Sequence, residues 1–468
     1  MVFTSVIFIF LFLPITLICY YFACLTHKIW LQNVVLLAAS LIFYSWSGVQ
    51  YTLLLLVSTV VNYIVGILID NSADKRKLFL ITGVLFNVIV LGIFKYFNFF
   101  VSVVEDIVHV WNPEYSAGMP TIPLPIGISF FTFQILSYLI DVYRKNVKAQ
   151  KNIVYLALYI MLFPQLIAGP IVRYIDVERE IKTRKFSLDM VYEGIIRFMV
   201  GFAKKVILSN TNGSIADAIF SQEIYTNTAF SWIGIIAYAL QIYLDFSAYS
   251  DMAIGLGKMF GFHFLENFDY PYISQSIQEF WRRWHISLSS WFRDYVYIPL
   301  GGSRAGTAKT YRNLIIVFLL TGFWHGASWN FIVWGAWYGI FLILERIGLK
   351  KILEKLPKLF RHLYTLAVVL IGWVFFRADN LKQAFAYLKS MFVFNFIDGK
   401  NVELFELFNT QTLVYCGIAI LACMPIGKIL CKVDKHNLMR DVCAFAVFVL
   451  AIGYLVVSGY NPFIYFRF

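Results

Sequence analysis

Long apolar segments recur from one end of the chain to the other, and they limit what it can fold into. They lie near residues 2–24, 30–48, 51–70, 78–104, 126–143, 152–172, 190–209, 229–260, 311–347, 363–376, 411–430 and 442–460. One bilayer span requires about 20 apolar residues, because the hydrocarbon layer is roughly 30 Å thick. Some segments are too long for a single span, so we predict about ten to twelve membrane-associated helices.

Composition agrees with a membrane protein. Apolar residues make up 60% of the chain and charged residues only 14%, and the mean hydropathy is +0.71. Soluble globular proteins carry about 25% charged residues. We therefore predict an all-α polytopic membrane protein, with residues 1–468 forming a single membrane domain whose motif-rich core covers about 125–345. The N-terminal segment lacks a basic start and a small-residue cleavage pattern, so it is interpreted as a retained first helix.

The net charge of +12 is explained by topology. Basic residues cluster in short loops at 74–77, 144–151, 183–185 and 349–362, which the positive-inside rule assigns to the cytoplasm. The loops at 111–125 and 395–409 are poor in basic residues and are predicted to lie outside. Nucleic acid is therefore not an expected partner. The six cysteines form no CxxC pair and are interpreted as packing residues, and no metal site is expected.

The middle of the chain departs from a plain helix bundle. Between about 125 and 335 the apolar segments are interrupted by glycine and proline and carry polar residues. Unwound backbone at membrane depth is tolerated only where it is buried in protein or lines a water-filled cavity. The sequence therefore predicts a cavity in this region.

Residues 281–295, WRRWHISLSSWFRDY, have helical periodicity. Taken as one helix, the segment collects on one face Trp281, Trp284, His285, Leu288, Trp291, Phe292 and Tyr295. Arg282 and Arg283 lie largely off that face. A basic, Trp-rich amphipathic helix also suits an interfacial anchor among lipid headgroups, which stays an alternative interpretation.

His325 lies in the stretch TGFWHGASWN, and no Asp, Glu, Lys or Arg occurs from Leu314 to Leu344. If a helix begins near Leu314, the imidazole lies roughly 17 Å along it, near the midplane of the bilayer. Gly322 and Gly326 flank the histidine and are expected to break or thin the helix. A neutral histidine bonded to one carbonyl is the structural alternative, whereas intramembrane ionisable groups by default mark pathways and reaction sites.

Several segments together resemble the membrane-bound O-acyltransferase family, and more narrowly its bacterial alginate O-acetylation branch. The resemblance rests on FTFQILSYLIDVYR, FPQLIAGPIVR, QIYLDFSAYSDMAIGLGKMFGF, FDYPYISQSIQEFWRRWHISLSSWFRDYVYIPLGGSR, TGFWHGASWNFIVWGAWYG and the opening MVFTSVIFIFLFLPI. It implies a ring of tilted transmembrane and re-entrant helices around a central tunnel. It also implies that His325, in its WHG context, and His285 belong to the catalytic centre.

The implied reaction moves an acyl group from a thioester to an alcohol, which requires a base to take the hydroxyl proton. Imidazole titrates near working pH and is the usual choice. We expect His325 to be that base, or a transient acyl carrier, and His285 to orient substrate or relay the proton. Polar and aromatic residues near the motifs are candidates to line the tunnel or bind substrate: Gln134, Asp245, Ser247, Asp251, Arg282, Arg283, Trp324 and Asn330. Some of them could instead satisfy broken helix ends.

The resemblance implies acetyl-CoA on the cytoplasmic side as donor, without a bound cofactor. The final acceptor would be a secreted polysaccharide or a cell-wall polymer, reached through an extracytoplasmic partner of the SGNH esterase or transferase type. The enzyme would lie in the bacterial cytoplasmic membrane, in contact with lipid. D-alanyl transfer to teichoic acid is an alternative from the same fold.

A transporter or an idle scaffold of a polysaccharide export complex is the rival from another class. Broken helices around an aqueous cavity are also found in secondary transporters. The chain contains no corresponding pair of interrupted segments in two halves and no row of membrane carboxylates. These features favour the acyltransferase.

Overall fold

The computed structural model describes residues 1–222, 227–304, 306–394, 407–427 and 438–464. These residues contain helices, turns and loops and no β-strand, which confirms the predicted all-α class. Most of the predicted outer loop at 395–409 lies outside the described residues.

Ten of the described helices are apolar and match the predicted segments. Seven are long and apolar enough to cross a membrane: Phe8–Leu25, Val49–Asn71, Arg76–His109, Thr228–Met259, Trp329–Lys355, Lys358–Arg377 and Leu438–Val457. Three are shorter: Ile29–Ser45, Ile128–Tyr143 and Thr410–Ala422. The number of membrane-associated helices, predicted as about ten to twelve, stays a prediction.

The described residues form two compact units. The first comprises residues 1–2, 7–191 and 256–264, and the second comprises 3–6, 192–255 and 265–468. Whether the whole chain acts as one membrane domain, and whether its helices form a ring around a tunnel, stay predictions.

The first unit contains the helices from Phe8 to His109 and then four more. These are Ile128–Tyr143, Ile153–Met161, Phe163–Leu166 and Tyr174–Lys182. Buried amides join two of the long helices: Asn62 Nδ2 donates to Asn87 Oδ1 at 3.1 Å, and Asn87 Nδ2 donates to Asn62 Oδ1 at 2.7 Å. Each amide thus satisfies the other within an apolar interior, where an unpaired one would be costly.

The second unit contains the remaining helices. Besides the longer ones, these are Lys204–Ser209, Asn210–Phe220, Pro271–Ile273, Ile277–Arg283, Ile286–Phe292, Arg293–Tyr297, Thr307–His325 and Leu381–Phe392, together with most of Leu188–Ala203 and of Thr228–Met259. The apolar segment at 311–347 is therefore two helices, Thr307–His325 and Trp329–Lys355, as its length suggested.

Two glycines allow these two helices to approach closely. A Cβ atom on Gly322 would lie 2.1 Å from the Phe331 carbonyl oxygen, and one on Gly335 would lie 2.3 Å from the Phe318 carbonyl oxygen. Any side chain at either position would force the helices apart. The pair forms a tight hairpin with His325 at its turn.

Candidate active site

His285, one of the two predicted catalytic histidines, lies at a break between two short helices. The expectation of one continuous helix over 281–295 is wrong: a helix ends at Arg283 and the next begins at Ile286, with His285 between them. His285 has a φ of +44°, in the left-handed region that costs a non-glycine residue about 1 kcal/mol or more. The tertiary contacts of residues 265–273 stabilise this conformation, because hydrogen bonds join Ile286 N to Asn267 O at 2.9 Å and Asp269 N to Arg283 O at 3.0 Å.

In residues 281–295 the aromatic side chains are nevertheless buried and the arginines more exposed, as predicted. The buried side chains include Trp281, Trp284, His285, Leu288, Trp291, Phe292 and Tyr295. Arg282 is exposed, and Arg283 is half-buried, where it pairs with Asp269 and Glu279 at 3.0 Å each.

The His285 ring is enclosed by aromatic and polar groups. It is 1% exposed and lies edge-on to Phe246 with ring centroids 4.5 Å apart. Its Nδ1 lies 3.1 Å from Asn267 Oδ1. His285 lies outside the seven candidate spans, between Thr228–Met259 and Trp329–Lys355. Burial disfavours the imidazolium and lowers the pKa of His285 to about 3, so the ring is neutral at physiological pH.

His325 is the last residue of the helix Thr307–His325, and Gly326 follows it in an extended conformation. The expected break at Gly326 is confirmed, while Gly322 stays within the helix. The helix begins at Thr307 and not near Leu314, so the expected distance of His325 along it is wrong: 18 residues correspond to about 27 Å. The His325 imidazole is 6% exposed and meets the rings of Trp334 and Phe376 at centroid distances of 5.1 and 5.2 Å.

Trp324 brings the two histidines together. Its ring centroid lies 6.3 Å from that of His285 and 4.9 Å from that of His325. Residues 40 positions apart in the sequence therefore contact one indole. Asn330 belongs to the same hairpin, where its Nδ2 donates to the Ala378 carbonyl oxygen at 2.6 Å and so ties the hairpin to the end of helix Lys358–Arg377.

A cavity of about 760 Å³ in the second unit contains two of the predicted tunnel residues, Ser247 and Asp251, in its lining. Asn267 and Ser250 also line it. Asp251 forms ion pairs with Arg197 at 2.9 Å and Lys204 at 2.5 Å, both at the cavity. The cavity lining thus includes charged side chains and the Asn267 amide, which also contacts His285.

Arg282 and Arg283 line a different cavity of about 540 Å³ in the same unit. Lys350 and Arg361 add two more cations to its lining, and three carboxylates, including Glu354, accompany them. The cavity has an excess of one positive charge and suits a polar, anionic group.

The structure places the other two predicted site residues differently. Asp245 forms a buried ion pair with Lys205. Gln134 lies in the first unit, fully buried on helix Ile128–Tyr143, and neither atom of its carboxamide group has a hydrogen-bond partner among the described residues. Within the same described residues, no cluster of three or more His, Cys, Asp or Glu side chains is arranged to hold a metal ion.

Sequence reasoning missed Asn267, which bonds His285, and the two aromatic neighbours of His325, Trp334 and Phe376. The only signal for Asn267 was an amide directly before the FDYPY motif. That signal does not reveal the contact, because the hydrogen bond joins residues 18 positions apart.

Comparisons with known proteins show which family the chain is similar to. The model of the membrane-bound O-acyltransferase family matches residues 15–378. The probable alginate O-acetylase AlgI of Pseudomonas aeruginosa is 46% identical over 398 residues, covering 84% of this chain and 75% of that protein. The probable alginate O-acetylase AlgI of Azotobacter vinelandii is 40% identical over 505 residues, covering 100% of both chains.

A peptidoglycan O-acetyltransferase of Helicobacter pylori is 34% identical over 524 residues, covering 100% of this chain and 98% of that protein. Both histidines and the Trp324 indole lie within the family match. The chain therefore belongs to the membrane-bound O-acyltransferase family, as a multi-pass membrane enzyme of the acyltransferase class.

Proposed function

We propose that this enzyme transfers an acetyl group from cytoplasmic acetyl-CoA for the O-acetylation of an extracytoplasmic polysaccharide or cell-wall polymer. One observation carries the proposal: two buried histidines contact the same indole, and one of them is held neutral by burial. The relatives that match this chain over most of its length bear the names of an alginate O-acetylase and a peptidoglycan O-acetyltransferase, which supports acetyl as the group transferred.

His325 is the general base of the proposed reaction. The acceptor hydroxyl gives its proton to the imidazole while its oxygen attacks the thioester carbonyl carbon. The carbon–sulfur bond then breaks, and the CoA sulfur leaves with a proton returned by the imidazole. A base in this position contributes about 10²- to 10⁴-fold to a rate. His285 orients the substrate or passes the proton on, and Trp324 separates the reacting groups from solvent.

The cavity lined by Ser247, Asp251 and Asn267 is the proposed entrance for the donor. Arg197 and Lys204 at this cavity would contact the phosphates of acetyl-CoA in exchange for their pairs with Asp251 and Glu266. Because the lining holds three carboxylates, including Asp269, and only these two cations, the attraction of the donor toward the membrane is assigned to the basic loops predicted to be cytoplasmic. The cavity at Arg282 and Arg283 is a second polyanion site on which the donor could rest first, or a contact for lipid headgroups.

The final acceptor requires a second protein in this proposal. An SGNH-type esterase or transferase outside the bacterial cytoplasmic membrane would take the acetyl group and transfer it to the polymer. The name of one set of relatives points to alginate and that of another to peptidoglycan, so a polysaccharide of either type is a suitable acceptor.

The test compares membranes that contain or lack the enzyme, supplied with acetyl-CoA labelled in the acetyl group. We expect label in polymer outside the membrane only when the enzyme is present. A parallel assay with labelled D-alanine on its carrier protein examines the alternative substrate. Label from D-alanine alone would replace the acetyl proposal, and label from neither donor would mean that the enzyme uses another acyl donor.

A further inference from the structure

The protonated nitrogen of His285 can be identified from its neighbours. A neutral imidazole carries one proton, on either Nδ1 or Nε2, and the partner of one nitrogen decides the tautomer. His285 Nδ1 lies 3.1 Å from Asn267 Oδ1. If that atom is a carbonyl oxygen it can only accept, and Nδ1 must then carry the proton.

The orientation of the Asn267 amide is fixed by a backbone donor. The Ser287 N–H points at Asn267 Oδ1 from 3.2 Å, and a backbone N–H can only donate. The Ser287 hydroxyl donates to the same oxygen at 2.9 Å. On the opposite side, Asn267 Nδ2 donates to Ser250 Oγ at 3.1 Å. Rotating the amide by 180° would place its NH₂ group against the Ser287 N–H, so the oxygen faces His285.

We propose that Asn267 is a positioning residue that holds His285 in the Nδ1–H tautomer and so presents an unprotonated Nε2 to the reaction. Asn267 is 1% exposed and the Nε2 atom is fully buried, with no hydrogen-bond partner among the residues that the structure describes. A buried hydrogen-bond acceptor that receives no donor destabilises a protein interior. The bare Nε2 fits a substrate hydroxyl or thiol that completes the bond, and this role rests on the proposed acetyl transfer.

No ionised side chain among the described residues faces the ring. The groups around it are the rings of Phe246, Phe268 and Trp324, the Asn267 amide and the Ser287 hydroxyl. The charged residues closest in sequence to these groups are paired elsewhere: Arg283 with Asp269 at 3.0 Å, and Glu266, next to Asn267, with Arg197 at 2.5 Å. Asp251, next to Ser250, pairs with Arg197 and Lys204. Residue 267 is a neutral amide and not a carboxylate. It therefore leaves the His285 ring uncharged and still determines which ring nitrogen carries the proton.

The tautomer is tested directly by nitrogen NMR of histidine-labelled protein in lipid nanodiscs at pH 7. Comparison with His285→Gln identifies the His285 signals. We expect proton coupling at Nδ1 and a bare Nε2, and a protonated Nε2 would overturn the proposal. This measurement requires no turnover, so it stands even if the enzyme transfers no acetyl group and the proposed function fails.

Two substitutions at the same position test the catalytic consequence. Asn267→Asp keeps an acceptor for Nδ1–H and Ser287 but adds a charge that favours the imidazolium. We expect near-normal kcat at high pH and a new loss of kcat as the pH falls toward neutrality, because protonated His285 has no free Nε2. Asn267→Leu removes the acceptor and should lower kcat about 100-fold at every pH, with KM little changed.

The His285→Gln background is the control, since both Asn267 variants should lose their distinct pH profiles there. Correct folding is checked by the remaining histidine signals in the same NMR spectra. If well-folded Asn267→Asp and Asn267→Leu variants both have the wild-type kcat and pH profile, Asn267 is not a positioning residue.

Discussion

Lys205 Nζ lies 2.8 Å from Asp245 Oδ1, and both side chains are almost completely buried in the second unit, at 3% and 1% exposure. Further hydrogen bonds satisfy other polar atoms of the two side chains. Lys205 also donates to Asn210 Oδ1 at 2.9 Å and to the Pro462 carbonyl oxygen, and the Ile464 N–H donates to Asp245 Oδ2 at 3.1 Å. The pair thereby connects helix Thr228–Met259 to the segment after helix Leu438–Val457, which gives Asp245 a structural explanation.

Removing one member of this pair should destabilise the protein. Asp245→Ala leaves a buried ammonium without its counter-charge, which costs about 3–5 kcal/mol. The double substitution Lys205→Met with Asp245→Leu removes both charges and should recover most of the loss, because apolar residues of similar volume often replace a buried pair at little cost. Thermal unfolding in detergent measures both variants. Equal stability of Asp245→Ala and wild type would show that the pair contributes nothing.

The glycine contact in the hairpin predicts a second effect. Gly322→Ala places a Cβ 2.1 Å from the Phe331 carbonyl oxygen, so the two helices must separate and the His325 ring must move with them. We expect a loss of about 1–3 kcal/mol in unfolding free energy and a lower rate of acetyl transfer. Both are measured on the same purified protein.

Gly417→Ala is the matched control. Gly417 lies in the apolar helix Thr410–Ala422 of the same unit, and a Cβ there would meet no atom within 4 Å. Its substitution should leave activity unchanged and increase helix stability by up to about 1 kcal/mol. A similar loss in both variants would point to a general intolerance of membrane helices to alanine, and not to the close approach at Gly322.

The buried His285 predicts a pH dependence of stability. Its pKa is about 3 in the folded protein and near 6.5 in an unfolded chain. Below pH 6.5 the unfolded state binds more protons, so the free energy of unfolding decreases as the pH falls toward 3. Between pH 7 and pH 5 the contribution of this group falls by about 2 kcal/mol. His285→Gln should lose less stability than wild type over this interval, and parallel unfolding curves of the two proteins would contradict the lowered pKa.

Most of the helices were predictable from sequence, because the length and spacing of apolar segments follow from the thickness of the bilayer. The break at Gly326 was also predictable, since glycine is the usual residue at such an end. Both depend on residues that are close together in the sequence, so a local sequence pattern is enough to predict them.

The break at His285 was not predictable in the same way. The periodicity of Trp281, Trp284, Leu288 and Trp291 fits one continuous helix, and only the backbone bonds to the segment that begins at Asn267 hold His285 in a left-handed conformation. The pairing of Asp245 with Lys205 likewise depends on chain separation of 40 residues. Such contacts between residues distant in the sequence determine which polar side chains line a cavity and which form buried structural pairs, so a local pattern does not predict them.

The most direct test of the central claim is acetyl transfer from labelled acetyl-CoA into extracytoplasmic polymer by wild type, His325→Ala and His285→Ala. All variants are compared at equal amounts in the membrane. His263→Ala is the control, because this histidine is 64% exposed and pairs with Glu180. We expect the control to transfer acetyl normally and His325→Ala to lose about 10²- to 10⁴-fold. Wild-type transfer by both His325→Ala and His285→Ala would contradict the assignment of these buried histidines to the reaction.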